Sequence, residues 1–370
     1  MNKVITKLLE NIEFSKKKGM IIASPSNNPP YKFHWVRDAS IVMKVIIDLY
    51  KETNNIKFLI LIFNYIENEN HIQKLNTLTG LGEPKFNING TSYNEPWGRP
   101  QNDGPALRII NMINIYKILY KDYPNLIKKN VLPVIFNDIQ YIIDNYNKPC
   151  FDLWEEIVGW HFYTRLVQLK SIKDFIYFKN NFLEINNNSN FVIPDIGTIY
   201  QNLLNNINDH IDNDKIISSF DEKGNISRMN DASIFLAYCH INFDKEILSY
   251  FPLKYTINTS NKLLDFFNNK YKNKYNLIGR YENDKYYNGH SWIICSLALI
   301  QVYIHLYNIN KEMYVNNYNL SKNIFDFILS IDVDINLSEQ YDPQNNIQLS
   351  AEKLTWNYSE LYFSIKKFNN

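Results

Sequence analysis

The sequence predicts an all-helical fold, and three observations carry that expectation. Apolar residues recur mostly at helical intervals. Period-two alternation is scarce, which argues against a large sheet. Two segments, Ala39 to Tyr50 and Ser291 to Tyr307, are apolar nearly all round, as helices covered on every side must be. The 370 residues are 45% hydrophobic and 21% charged, enough to bury a large core.

The elements follow in order. Val4, Ile5, Leu8, Leu9 and Ile12 fall at helical spacing, predicting an amphipathic first helix where an export signal would be continuously apolar. The longest aliphatic run, Phe58 to Phe63, is far too short to cross a bilayer. Helical periodicity with a polar face covers 105–120, 126–146, 160–172 and 353–368. Between helices lie long segments rich in Asn, Pro, Gly and aromatics, at 23–37, 80–104, 147–159, 277–290 and 333–350. Loops of that length inside a compact unit are functional when they are ordered. The Asn-rich pieces near 184–192 and 204–214 read as plain surface excursions. Without a Pro/Ser linker, residues 1–370 are expected to form one domain.

Lys+Arg 39 against Asp+Glu 38 gives a formal charge of +1, so a nucleic-acid partner, which would require basic excess, is not expected. Cys150, Cys239 and Cys295 are odd in number and widely spaced, making neither a disulfide framework nor a zinc site. The seven histidines show no HxxxH spacing. No metal and no cofactor is expected, and a cytoplasmic protein without a membrane partner is the default expectation.

Arginine is rare, six against 33 lysines. Four of the six, Arg37, Arg99, Arg108 and Arg280, lie in HWVRD, WGRPQNDGPALR and IGRYENDKYYNGHSW, and Arg165 follows DLWEEIVGW closely. Where Lys would carry the charge, a retained Arg points to a need for its planar fork. All six tryptophans sit in these or similarly unusual stretches.

Two acidic groups suggest chemistry. Asp152, Glu155 and Glu156 fall within five residues beside Trp154, and Glu339 and Asp342 stand in a distant polar loop. Glycoside hydrolysis needs a protonated carboxyl to help the leaving oxygen depart and an ionised one to activate water. Crowding beside an aromatic ring raises one carboxyl pKa, as a general acid requires. Rings such as Trp154 also offer flat faces to sugars.

The stretches IIASPSNNPPYKFHWVRDAS, WGRPQNDGPALR, DLWEEIVGWHFYT, GRYENDKYYNGHSW and LSEQYDPQNNIQLSAEKLTWNYSEL resemble, in order, the signature segments of glucoamylases, glycoside hydrolase family 15. The resemblance spans roughly residues 20 to 365. It implies an (α/α)6 toroid of six inner and six outer helices with the site in the loops at one end. It also implies inverting exo-hydrolysis of α-1,4-linked glucans or maltooligosaccharides. A monomer is expected.

Carried over by position, Glu155 matches the family's general acid and Glu339 its general base, and inverting geometry separates such carboxyls by about 6.5–9.5 Å. Arg37 and Asp38 match the pair that binds the terminal glucose, with Arg280 a third polar clamp. Tyr31 and Trp35 match the wall of the first subsite, and Trp97 a loop residue covering the cleft near the acid. Glu156 matches a carboxylate contacting the second sugar, Trp154 flanks the acid, and Trp356 lies on the wall near the base.

Departures from the family pattern set further expectations. Phe33 stands where many relatives have Tyr, removing a hydroxyl near the first subsite. Val158, Trp160 and His161 replace small and polar residues and are expected to reshape the pocket, with His161 a packing residue. The interval from Arg280 to Glu339 is short, suggesting a trimmed outer helix or loop. No starch-binding module is expected. Two alternatives stay open: a hydrolase of another α-glucoside (trehalose, isomaltose or dextran type), and a catalytically silent glucan-binding or regulatory domain.

Overall fold

A computed structural model of the chain describes residues 1–183 and 195–369. Among them, twelve helices of eight residues or more follow one another: α1 (Asn2–Ile12), α2 (Val36–Thr53), α3 (Ile56–Ile72), α4 (Asp103–Leu119), α5 (Leu132–Asn145), α6 (Phe162–Phe178), α7 (Ile196–Asn208), α8 (Ser233–His240), α9 (Thr256–Tyr271), α10 (Ile293–Ile309), α11 (Val315–Ser330) and α12 (Thr355–Asn369). Even-numbered helices close a ring. α2 packs on α4, α4 on α6, α6 on α8, α8 on α10, α10 on α12, and α12 returns to α2. Odd-numbered helices back them: α3 on α2, α5 on α4, α7 on α6, α11 on α10 and α1 on α12. The sixth odd-numbered helix, α9, buries Leu263 and Phe267. This is the expected all-α toroid.

Side-chain pattern sorts the two layers. Every residue of α8 is buried, and in α10 the burial runs unbroken from Ile293 to Ile304. By contrast α11 buries only Ser321, Ile324 and Ile328, one narrow stripe at spacings of three and four. Chain punctuation is equally local. Asn54 ends α2 in the left-handed conformation at φ 51°, which Asn tolerates better than most residues. Asn55 then caps α3, its side chain accepting from Lys57 N.

Polar groups tie the layers together. Arg108 of α4 donates two bonds to Asp138 of α5, at 2.7 and 2.6 Å, and one to Glu69 of α3 at 3.0 Å. Glu69 also meets His34 Nε2 at 3.1 Å, while His34 Nδ1 accepts from Ile21 N. All four side chains are buried. Deleting one member would leave uncompensated charge in the interior, at a cost of about 3–5 kcal/mol.

Short strands lead into the inner helices. β1 (Phe33–Trp35) enters α2 and pairs antiparallel with β2 (Lys85–Asn87). β3 (Cys150–Phe151) and β4 (Val158–His161), the latter entering α6, join a sheet ordered β3-β4-β7-β8. In it β7 is Ser219–Asp221 and β8 is Ile226–Arg228, after a small hairpin of β5 (Ile211–Asp212) and β6 (Lys215–Ile216). β9 (Ser291–Trp292) enters α10 and pairs with β10 (Gln340–Asp342), itself paired with β11 (Ile347–Leu349).

Two expectations are corrected. Residues 204–208 are not a surface excursion: they end α7, whose Leu203, Leu204 and Ile207 are buried beneath its polar Asn face, and 211–216 form the β5–β6 hairpin. In the Arg280 to Glu339 interval the outer helix α11 runs 16 residues. The 126–146 helix is interrupted, with a π-helical turn over Ile127–Val131 before α5. The segment 184–192 lies outside the described residues. Among the described residues no helix is long and apolar enough to cross a membrane.

Candidate active site

One cavity of about 220 Å³ opens where the inner helices begin. All eleven residues singled out from the sequence line it: Tyr31, Trp35, Arg37, Asp38, Trp97, Trp154, Glu155, Glu156, Arg280, Glu339 and Trp356. Each of the five long loops contributes. The reason is topological: segments remote in sequence all end at the same face of one ring.

Glu155 sits on the turn between β3 and β4. Asp152 builds that turn, its Oδ1 accepting from Glu156 N at 2.7 Å and Ile157 N at 3.0 Å, while its carbonyl accepts from Glu155 N at 2.9 Å. Glu155 itself adopts φ 67°, a left-handed conformation costly for a side-chain-bearing residue and found where function constrains the backbone. Its carboxylate receives three donors: Trp35 Nε1 at 2.7 Å and Arg37 Nη2 at 3.2 Å on Oε1, and Trp97 Nε1 at 2.6 Å on Oε2. Gly98 lets the Trp97 loop approach this closely, for a Cβ there would lie 3.0 Å from the Glu155 carbonyl oxygen.

Glu339 stands just ahead of β10 and is 2% exposed. Its Oε2 accepts from the Ser350 hydroxyl, and Tyr31 also hydrogen-bonds its carboxyl. Tyr31 and Tyr286 hydroxyls stand 3.0 Å apart beside it. Burial dominates and pushes Glu339 up to about 7, against the lowering effect of Ser350 and of the Arg280 charge.

The same cavity presents groups suited to a polyhydroxylated ligand. Arg37 meets Asp38 at 3.2 Å and donates to Gln101 at 2.9 Å. Asp38 is buried, Oδ2 has no hydrogen-bond donor among the described residues, and burial raises its pKa to about 6. Arg280 is gripped by Asp284 through two 2.7 Å bonds and reaches Glu156 at 2.7 Å. Its guanidinium carbon lies 4.8 Å from the Trp292 ring and 5.4 Å from that of Trp154. Trp154 donates its indole N–H to Asp231 at 2.9 Å. Trp356 backs Arg37, its ring 5.5 Å from the guanidinium carbon.

Several contributors escaped the sequence reading. Tyr286 and Trp292 line the cavity. Arg228 holds Asp152 at 2.8 Å, Glu156 at 2.9 Å and Asp231 at 3.2 Å. The one available signal was arginine scarcity, which had pointed at its five companions and left Arg228 unplaced. The departures fall elsewhere than expected. Val158, Trp160 and His161 lie along β4 and do not line the cavity. His161 is a packing residue, bonded to Ser219 Oγ and Cys150 O at 2.9 Å each. Phe33 also stands off the cavity, packed edge-on against Trp35 and Tyr93. Among the described residues no group of three or more His, Cys, Asp or Glu is placed to hold a metal.

Two carboxyls from loops remote in sequence, in an aromatic, arginine-clamped cavity at one end of a helical toroid, fit the site class of sugar-bond hydrolases. The chain belongs to glycosyl hydrolases family 15, whose family description matches residues 5–362. It is 30% identical to glucoamylase-1 of Arthroderma benhamiae over 97% of this chain, and spans 61% of that protein's length. It is 29% identical to a probable glucoamylase of Schizosaccharomyces pombe, over 94% of this chain and 84% of that protein. The fold superposes on the Saccharomycopsis fibuligera glucoamylase with a TM-score of 0.84 at 23% identity, over 99% of this chain and 93% of that one.

Proposed function

We propose that residues 1–370 act as one catalytic domain, an inverting, exo-acting glycoside hydrolase releasing β-glucose from the non-reducing ends of α-1,4-linked glucans or maltooligosaccharides. The observation that carries this reading is the convergence of Glu155 and Glu339 on one aromatic cavity. Glu155 gives a proton to the glycosidic oxygen as the C1–O bond breaks. Glu339, ionised, takes a proton from a water molecule whose oxygen attacks C1 from the opposite face, which inverts the anomeric centre. Afterwards Glu155 is ionised and Glu339 protonated, and exchange with solvent restores both.

Arg37, Asp38 and Arg280 hold the hydroxyls of the terminal glucose against Tyr31 and Trp35. Glu156, with Trp97 and Trp154 beside the acid, meets the following sugar, and Trp356 closes the wall near the base. The names of the relatives support the substrate class. Val158, Trp160 and His161 were the reason to weigh another α-glucoside, and their place outside the cavity weakens it.

A maltooligosaccharide digest with anomer detection tests the reading. Stepwise release of β-glucose is expected. Cleavage of trehalose or isomaltose in place of maltose, or saturable oligosaccharide binding without turnover, would overturn it.

A further inference from the structure

Lys85 occupies an unusual place behind the cavity. It faces Trp35 across the β1–β2 pair, so the two side chains share one face of that ribbon. Four rings close a box around it, each edge-on to the next: Phe33 to Trp35 at 5.8 Å, Trp35 to Trp97 at 6.1 Å, Trp97 to Tyr93 at 6.3 Å and Tyr93 to Phe33 at 5.1 Å between centroids. The Lys85 ammonium lies 4.5, 4.8, 4.2 and 3.1 Å from the centroids of Phe33, Trp35, Tyr93 and Trp97. Lys85 is 1% exposed. Glu83, two residues away, is taken by Arg99 at 2.9 Å. Burial lowers the ammonium to about 8, with the Glu155 charge opposing that shift, so it remains a cation below that pH.

Two of the four rings are the indoles that donate to Glu155, one to each carboxylate oxygen. A cation on the face of an indole is held by the ring's quadrupole, and it draws electron density from the N–H at the ring edge. The sequence cation, indole, carboxylate therefore occurs twice around one acid. Trp97 is 37% exposed on its loop, and Lys85 is the charge that anchors its inner face.

We propose that Lys85 is a positioning residue for the general acid: through Trp35 and Trp97 it fixes the two N–H groups that point at Glu155. The proposal rests on the hydrolase reading above. Charged and titratable groups facing Glu155 are Arg37, Asp38, Tyr31 and Lys85, and those facing Lys85 are Glu155, Arg99 and Glu83. With the Lys85 charge removed, the two indoles lose the cation that anchors their faces and aim their N–H groups less well.

The test compares kcat on maltooligosaccharides with kcat on α-glucosyl fluoride, whose leaving group needs little help from an acid, for Lys85→Met and Lys85→Arg beside the unaltered protein, with folding followed by circular dichroism. Lys85→Met is expected to lower kcat on maltooligosaccharides by about three- to tenfold and to leave hydrolysis of the fluoride nearly unchanged. Lys85→Arg keeps the charge and is expected to retain most of the activity on both. A folded Lys85→Met that loses equally on both substrates or on neither, or a Lys85→Arg that loses as much as Lys85→Met, overturns the proposal. If Lys85→Met fails to fold, Lys85→Gln takes its place and is read in the same way. Absence of turnover in the unaltered protein would sink the hydrolase reading, and this one with it. Turnover with no difference between the two substrates sinks this one alone.

Discussion

The β3–β4 turn and the β10–β11 hairpin each deliver a glutamate to the same cavity, but they house it differently. Glu155 meets N–H donors from three residues, two of them indoles, and its backbone is held left-handed by the Asp152 turn. Glu339 is sealed at 2% exposure, meets hydroxyls of Ser350 and Tyr31, and is raised by burial to about 7. Identical side chains thus receive different surroundings, N–H donors on one and burial with hydroxyl partners on the other.

The largest effects break the pair. Glu155→Gln and Glu339→Gln are each expected to lower kcat by about 10²- to 10⁴-fold, measured by glucose release, with the fold retained. The double variant should lose much less than the product of the two factors, because groups acting as a unit are non-additive. Full activity in either single variant would refute the role given to that residue.

Stability should separate the two sites by sign. Glu339 has a folded pKa raised from 4.5 to about 7. The stability it contributes is therefore full below 4.5 and is lost as pH rises through 7. Glu339→Gln, which cannot ionise, should be more stable than the unaltered protein at pH 8, by up to about 3 kcal/mol, and nearly equal to it at pH 4. Glu155→Gln turns an amide N–H2 toward an indole or guanidinium donor, so it should cost about 1–3 kcal/mol. Thermal unfolding at the two pH values reads both, and a Glu339→Gln gain independent of pH would contradict the burial argument.

A smaller effect sharpens the base alone. Ser350 stabilises the ionised form of Glu339. Ser350→Ala should therefore move the acidic limb of the kcat/KM profile upward by about one pH unit while the basic limb stays in place. Movement of both limbs would show that Ser350 does not act on Glu339 alone.

Much of the site was legible because rare residues marked it. In a chain with 33 lysines and six arginines, Arg108 and Arg280 each grip one carboxylate through two bonds, which a lysine ammonium cannot reproduce. Apolar helices such as α10 were legible because burial on all sides leaves no polar face. Outer helices were harder: α7 hides Leu203, Leu204 and Ile207 among asparagines that read as loop. Lys85 was invisible for a related reason, since one lysine in a lysine-rich sequence announces nothing until four rings surround it.

By itself the sequence determined eleven of the groups that reach the cavity and the helical character of five of the six ring helices, all but α8, because periodicity and residue type are properties of short segments. Tertiary structure decided how each group behaves there. The donors on Glu155 come from 118, 120 and 58 positions away, and the hydroxyl on Glu339 from a separate strand-end turn. Proton affinity depends on the water removed and the partners supplied at one point in space, and only folding brings those together.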